Sequence, residues 1–265
     1  MRARAGERSE QGLNRSVEKA AAVLSAFADV SAELRVSDVA EHVGLGQSTA
    51  SRLLATLEAL DYVERDPISN LYHLGPALIT LAGVAMNHDA VYRESRQRVQ
   101  DLACAIGLGV NVAVRRGSSL FYLCNVEGRL APKSVLLMGQ YNPLHATGIG
   151  KCLLLDLDHE ERRHLLPELV AFTSRTITSH DVLDAVLDDV REKGYATEIE
   201  ELALGRACVA APILDRSRRV VAGLSISGPL TAISVEGREK ELAQTVIEVA
   251  DWISVGLGYV GPTQL

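Results

Sequence analysis

The stretch Val43–Asp66, VGLGQSTASRLLATLEALDYVERD, constrains this chain more tightly than any other. Gly44 suits the left-handed position that closes a helix. Three residues later a second helix starts on small hydroxylated side chains and carries Ala50, Leu53, Leu54, Leu57 and Leu60 along one face. A stripe of that width has to be buried, and the preceding ELRVSDVAEHVGL offers the partner: a short helix capped by Ser37, with Val39, Ala40 and Val43 turned inward. Upstream, Ser16 is expected to cap a helix from Val17 whose Ala20, Val23, Leu24 and Phe27 share a face. Downstream, YVERDPISNLYHLG alternates around DPISN, the chemistry of a turn between two short strands. Residues 14–75 therefore read helix, helix, turn, helix, hairpin.

Two readings fit that order: an ordinary helical packing unit, or a helix-turn-helix whose last helix lies in the major groove of DNA, followed by a wing. In the second, Ser48, Thr49, Ser51 and Arg52 form the leading outward surface, hydroxyls meeting phosphates or base edges and the arginine meeting guanine. Gln47 would cap the helix or reach the DNA backbone, and Arg65, on the first wing strand, would approach the phosphates. The hairpin directly after the helix favours this reading. Charge opposes it: between residues 17 and 80, Lys19, Arg35, Arg52 and Arg65 face Glu18, Asp29, Glu33, Asp38, Glu41, Glu58, Asp61, Glu64 and Asp66, and the whole chain has a formal net charge of -7. A local positive surface from Arg52, Arg65 and the leading arginines Arg2, Arg4, Arg8 and Arg15 remains, so affinity is expected to depend on two copies and two half-sites.

The rest of the 265 residues organises around this head. Residues 1–13 are polar and aperiodic, and read as a disordered tail. Residues 76–93 read as a linker helix starting at Pro76, with Leu78, Leu81, Ala82, Ala85 and Met86 as its stripe. Residues 94–265 mix helices with strand pairs at GVNVAVRRG, SSLFYLCNVEG, YATEIE, RACVAAPILD and RRVVAGLSISG, and end in a helix over about 234–258. Strand pairs without strict βαβ repeats imply an α+β two-domain chain with a mainly antiparallel sheet. No apolar leader is expected, and the longest apolar run, ALITLAGVAM, is too short to span a bilayer, which predicts a cytoplasmic protein with no membrane partner. Four cysteines without a CxxC pair and seven scattered histidines predict reduced thiols and no metal or other cofactor.

The segments SVEKAAAVLSAF, VGLGQSTASRLLATLEALDYVERD, YHLGPALITLAG, HATGIGKCLL, GYATEIEELALGRACVAAPILD and VVAGLSISGP, in this order and spacing, make the chain resemble the IclR family of bacterial transcriptional regulators over about residues 14–260. The resemblance implies an N-terminal winged helix-turn-helix on double-stranded operator DNA, a dimerisation helix and a C-terminal GAF-like domain. It further implies a homodimer or dimer of dimers whose DNA binding responds to a small organic or aromatic acid effector. By the same resemblance the effector site falls on Gly148 and Ile149, Glu198, Cys208, Ser225 and Ser227. Each has its own chemistry. Small residues opening a helix leave N–H groups for a carboxylate, Ser225 and Ser227 share one face of a strand, and Cys208 offers a soft apolar wall. Glu198 stands where the family more commonly has Asp, and an acid beside an acidic ligand is repulsive unless it bonds a hydroxyl or caps backbone groups.

Taken singly, two alternating serines more often form a solvated face, and a lone Cys a small hydrophobe. Two other functions fit the residues: a small-molecule sensor without DNA binding, and a Cys-dependent enzyme using Cys208 or Cys152 with His145. GLGYVG matches a dinucleotide fingerprint but follows a helix at the C-terminus, and HATGIGKC lacks the first Gly and the final Ser/Thr of a phosphate loop.

Overall fold

A computed structural model describes residues 14–29, 31–130 and 137–261 of the chain, which divides into two compact units, 1–85 and 86–265. The arginines at 2, 4 and 8 and the expected tail lie outside the described residues.

The first unit holds α1 (Arg15–Asp29), α2 (Val36–Val43), α3 (Gln47–Ala59), β1 (Val63–Arg65) and β2 (Tyr72–Leu74). Val23, Ala26 and Phe27 of α1, Val39 and Ala40 of α2, and Ala50, Leu54 and Leu57 of α3 converge on one core with Leu34, Val63 and Tyr72. Gly44 closes α2 at φ 69° as expected. The caps differ from expectation. Asn14, not Ser16, begins α1, its Oδ1 accepting the Ser16 N–H at 3.0 Å. Ser37 lies inside α2, whose N-terminus is closed by Asp38 Oδ2 accepting the Arg35 N–H at 2.9 Å. Leu60 is also off the stripe, 57 % exposed just past the end of α3. β1 and β2 pair antiparallel, and Asp66 Oδ1 accepts the N–H groups of Ile68 and Ser69, fixing the turn between them. Leu34 adds a bridge to Tyr72, with N–H···O distances of 3.0 and 2.8 Å, so the wing carries three paired segments.

The break between the linker helix and the helix that follows it falls at Asp89 rather than near residue 93: α4 (Pro76–His88) and α5 (Ala90–Ile106) flank Asp89, whose side chain accepts the Tyr92 N–H at 2.9 Å. A capping carboxylate inside a continuous apolar periodicity starts a new helix.

The second unit continues with β3 (Gly109–Arg116), β4 (Ser119–Val126), β5 (Tyr141–Pro143), α6 (Gly148–Leu153), α7 (His159–Leu165), α8 (His180–Lys193), β6 (Ala196–Ile199), β7 (Arg206–Leu214), β8 (Val220–Pro229), α9 (Leu230–Ile233) and α10 (Val235–Gly256). The strands form one sheet in the order β5-β4-β3-β8-β7-β6, with every neighbouring pair antiparallel. The expected α+β class holds. β5, α7 and α9 are too short to show a period in sequence.

One face of the sheet presents Val110, Val112, Leu224, Ile226, Val209 and Ala211 to Leu102 of α5 and to Leu242, Val246 and Ile253 of α10. The other face, through Ala113, Tyr122, Ala210 and Ala196, packs against Ile149 and Cys152 of α6 and Leu183 and Leu187 of α8. A β-bulge in β4 fixes this division. Cys124 faces Val112 but Tyr122 faces the next residue, Ala113, leaving Leu123 as the extra residue. Asn125 and Tyr122, of opposite parity, thereby share a face.

α6 is wholly buried because its glycines admit close packing. A Cβ on Gly150 would lie 2.0 Å from the Leu144 carbonyl oxygen and 2.5 Å from Thr147 Oγ1. A helical Gly→Ala change ordinarily gains about 1 kcal/mol. Here Gly150→Ala is expected to destabilise the second unit by about 1–3 kcal/mol through overpacking, read as a lowered midpoint in denaturant unfolding; an unchanged or raised midpoint would refute the packing account.

Candidate functional site

In the first unit, the alternating burial of α3 leaves Gln47, Ser48, Ser51 and Arg52 exposed and Thr49 half-buried. Gly46, not Gln47, is the N-cap, so the Gln47 amide is left on the surface. From Gln47 to Leu57 Arg52 is the one charged residue, so the leading face of α3 is positive although its unit is acidic. Arg65 stands on the wing. Its Nη2 donates to Asn70 Oδ1 at 2.8 Å and its guanidinium lies 5.6 Å from the centre of the Tyr72 ring, which orients it without neutralising it.

In the second unit, the polar face of the sheet floors a cavity of about 320 Å³. Gly148, Ile149, Glu198, Cys208, Ser225 and Ser227, which the sequence places far apart, all line it. Register explains the convergence. Asn125, Asn111 and Ser225 lie opposite one another across β4, β3 and β8; one step along, Gly109, Ser227, Cys208 and Glu198 form a second row across β3, β8, β7 and β6. Both rows point to the cavity.

The floor is hydrogen-bonded. Asn111 Nδ2 donates to Ser225 Oγ at 3.3 Å and Ser227 Oγ at 3.1 Å, and Asn125 Nδ2 donates to Asn111 Oδ1 at 2.7 Å. Ser225 is buried, so the serine pair is not a solvated face. Tyr122 and Asn142 add a second polar pair, Nδ2 to the phenol oxygen at 3.3 Å, and burial pushes the phenol up to about 12, so it stays protonated as a donor. Asn111, Asn125, Tyr122, Asn142 and Arg206 are cavity residues that sequence reasoning missed. An Asn between valines in GVNVAV was the available signal; Arg206 offered none.

Gly148 is the first residue of α6, the helix that the small residues were expected to open. A Cβ there would meet Cys208 Sγ at 2.8 Å and Ala210 Cβ at 3.1 Å, so it is the absence of a side chain that lets α6 approach β7. Thr147 caps α6, its Oγ1 accepting the Gly150 N–H at 3.1 Å.

Behind the cavity lies a charge cluster. Lys151, 1 % exposed, donates from Nζ to Glu201 Oε1 at 2.5 Å and to the Thr197 carbonyl at 2.9 Å. Glu201 Oε2 is buried without a partner. Glu198 Oε1 accepts the N–H groups of Glu201 and Leu202 at 2.7 and 3.3 Å. It is thus a backbone-capping acid, one of the two conditions under which it tolerates an acidic ligand. Burial pushes the Glu198 carboxyl above its usual range, opposed by those two N–H groups and reinforced by the Glu201 charge. The Glu201 carboxyl is raised by burial too, against the pull of Lys151.

The thiols are quiet. Burial holds Cys208 well above the ordinary thiol value and Cys152 at about 12. His145 donates from Nε2 to the Val170 carbonyl at 2.9 Å, and burial lowers its pKa. Among the described residues no group of three or more His, Cys, Asp or Glu is placed to hold a metal, and no helix is long and apolar enough to cross a membrane.

Two family descriptions match the chain, the IclR helix-turn-helix domain over residues 16–67 and the C-terminal domain of the bacterial transcriptional regulator IclR over residues 84–255. The chain belongs to the IclR family. The glycerol operon regulatory protein of Streptomyces coelicolor is 33% identical over 244 residues, covering 92% of this chain and 96% of that protein. The crystal structure of Thermotoga maritima IclR superimposes with a TM-score of 0.79 at 29% identity, over 92% of this chain and 99% of that one. An IclR homologue from Microbacterium hydrocarbonoxydans, crystallised with 4-hydroxybenzoate, shares the fold with a TM-score of 0.77 at 22% identity, over 92% of this chain and 99% of that one. As an IclR-family protein the chain is a transcriptional regulator with a helix-turn-helix DNA-binding domain and a C-terminal effector domain.

Because the folded Glu198 and Glu201 carboxyls titrate above the ordinary 4.5, the native state binds their protons more tightly than the unfolded chain. Their favourable contribution is complete below 4.5 and is lost as pH rises through the raised folded values. Glu198→Gln keeps the Oε1 acceptor and removes the charge. The variant is expected to gain stability relative to the natural chain as pH rises from 4.5 to neutral, in paired urea unfolding curves; a pH-independent difference would contradict the assigned titration.

Proposed function

We propose that this regulator works in the cytoplasm as a homodimer or dimer of dimers, gripping double-stranded operator DNA through Gln47, Ser48, Thr49, Ser51, Arg52 and Arg65. The occupancy of the second-unit cavity by a small organic or aromatic acid sets the strength of that grip. In this reading residues 14–75 are the reading head, 76–93 the linker and 94–265 the effector domain. The observation that carries it is the convergence of Gly148, Ile149, Glu198, Cys208, Ser225 and Ser227 on one cavity with a hydrogen-bonded polar floor. A cavity of about 320 Å³ lies at the small end of the range for small-molecule sites, that of a compact ligand. 4-Hydroxybenzoate, the ligand of the Microbacterium homologue, has that size.

Support for a partner copy comes from α4. None of its residues is buried, and Ile79, Leu81 and Val84 are 76 %, 51 % and 66 % exposed. An apolar helix without cover is a surface for association, and a second copy doubles the weakly charged reading face. Effector and operator are then linked: whatever factor the acid imposes on DNA affinity, the operator imposes on acid affinity. No catalytic step belongs to this reading, since the Cys152 and Cys208 thiols stay protonated and His145 is committed to Val170.

Arg52→Ala is expected to weaken binding to a DNA fragment selected in vitro with the natural chain by about 1–3 kcal/mol, the cost of a lost base contact. Gel-shift titration at two salt concentrations reads it. Unchanged affinity with an unchanged salt slope would remove Arg52 from the interface, and the failure of any fragment to be selected would favour a sensor that does not bind DNA.

A further inference from the structure

Among the described residues, one charge in the cavity has no ion-pair partner. Arg206 opens β7 opposite Pro229, is half-buried and lines the cavity. Among the described residues its guanidinium takes part in no ion pair and no hydrogen bond, whereas the other cation nearby, Lys151, is sealed away and bound to Glu201 and Thr197. Among the described residues Arg206 is also the only cation in the lining. A planar guanidinium left open toward a cavity matches a carboxylate in two parallel hydrogen bonds.

The remaining lining restricts what that carboxylate is attached to. Ser225 and Ser227 accept from Asn111, which leaves their hydroxyl protons to turn toward a ligand oxygen. A floor of amides and hydroxyls, both donors and acceptors, pairs with ligand hydroxyls, which are also both. Glu198 anchors one carboxyl oxygen on the backbone N–H groups of Glu201 and Leu202, leaving the other for a ligand hydroxyl. A second ligand carboxylate there would lie beside an acid rather than a cation.

We infer that the effector is a hydroxylated monocarboxylate whose carboxylate is held by Arg206 and whose hydroxyls lie on Asn111, Ser225 and Ser227. Glu198 excludes a second carboxylate, and Arg206 is the specificity-determining residue of the site. This rests on the cavity being the effector site, and it locates the ligand's charge at the start of β7 rather than at the Gly148–Ile149 turn, where Cys208 closes over Gly148.

The test uses the full chain, isothermal titration and thermal shift. The probes are 4-hydroxybenzoate and aliphatic hydroxy monocarboxylates of four to seven carbons, each with its neutral carboxamide and the dicarboxylate of equal length. At least one monocarboxylate is expected to raise the melting temperature, with its carboxamide and dicarboxylate partners binding at least tenfold more weakly. Arg206→Met should weaken that acid at least tenfold and abolish its advantage over the carboxamide, and Arg206→Lys should restore part of it. The ligand-free melting temperature of Arg206→Met should match the natural chain, since among the described residues the side chain has no hydrogen-bond or ion-pair partner to lose. If the acid binds Arg206→Met within twofold of the natural chain but is lost in Ser225→Ala/Ser227→Ala, the cavity is the effector site and the anchor is wrong. If an acid binds and neither variant weakens it, the cavity reading falls. If no probe binds the natural chain, the assignment to hydroxylated monocarboxylates is overturned.

Discussion

In an antiparallel sheet each residue commits its side chain to one face, and neighbouring strands keep their rows aligned. The second unit is built on that constraint. The same strands that give Val110, Val112, Leu224 and Ile226 to the core under α5 and α10 give Asn111, Ser225 and Ser227 to the cavity. Core and site are two sides of one surface, and neither can be re-registered without the other. Burying an amide and a hydroxyl beside that core is tolerable only because each finds a partner. Asn111 is the centre of the ladder, joining Asn125 to both serines.

Charge is handled by location rather than by total. The chain is net acidic, yet the first eleven residues of α3 carry only Arg52. In the second unit Lys151 is turned inward to Glu201 while Arg206 faces the cavity. Two cations of equal formal charge thus have different duties: one holds α6 against the loop after β6, and the other has no ion-pair partner among the described residues. A buried pair such as Lys151–Glu201 contributes little net stability but becomes costly if one partner is removed, so it fixes the position of the loop whose N–H groups Glu198 accepts.

Much of this was legible in the sequence. The left-handed stop at Gly44, the stripe of Ala50, Leu54 and Leu57 and the two wing strands follow from local rules, and the family resemblance carried the six cavity positions. What escaped was non-local. Ser16 and Ser37 were plausible caps, but Asn14 and Asp38 lie in register with the N–H groups that needed acceptors. Leu60 fits the helical period but falls beyond the helix that would have buried it. Asn111 touches a serine 114 residues away, a distance at which no period operates. Tyr122 reaches the cavity only because of a bulge, and Arg206 is conspicuous only by the partners it lacks.

The bulge at Leu123 also determines how this strand can change over evolutionary time. It reverses parity once within β4, so the same residues paired without it would turn Tyr122 and Leu120 to the face under α5 and α10, whereas deleting Leu123 itself would restore regular alternation with Tyr122 still opposite Ala113. Substitutions along β4 alter one contact each and loss of the extra residue removes only the bulge, whereas a change of length elsewhere in the strand moves the residues beyond it to the opposite face. The lineage is therefore free to retune the ligand chemistry of this strand residue by residue and to keep or lose its one extra residue, while Asn125 and Tyr122 continue to face the cavity.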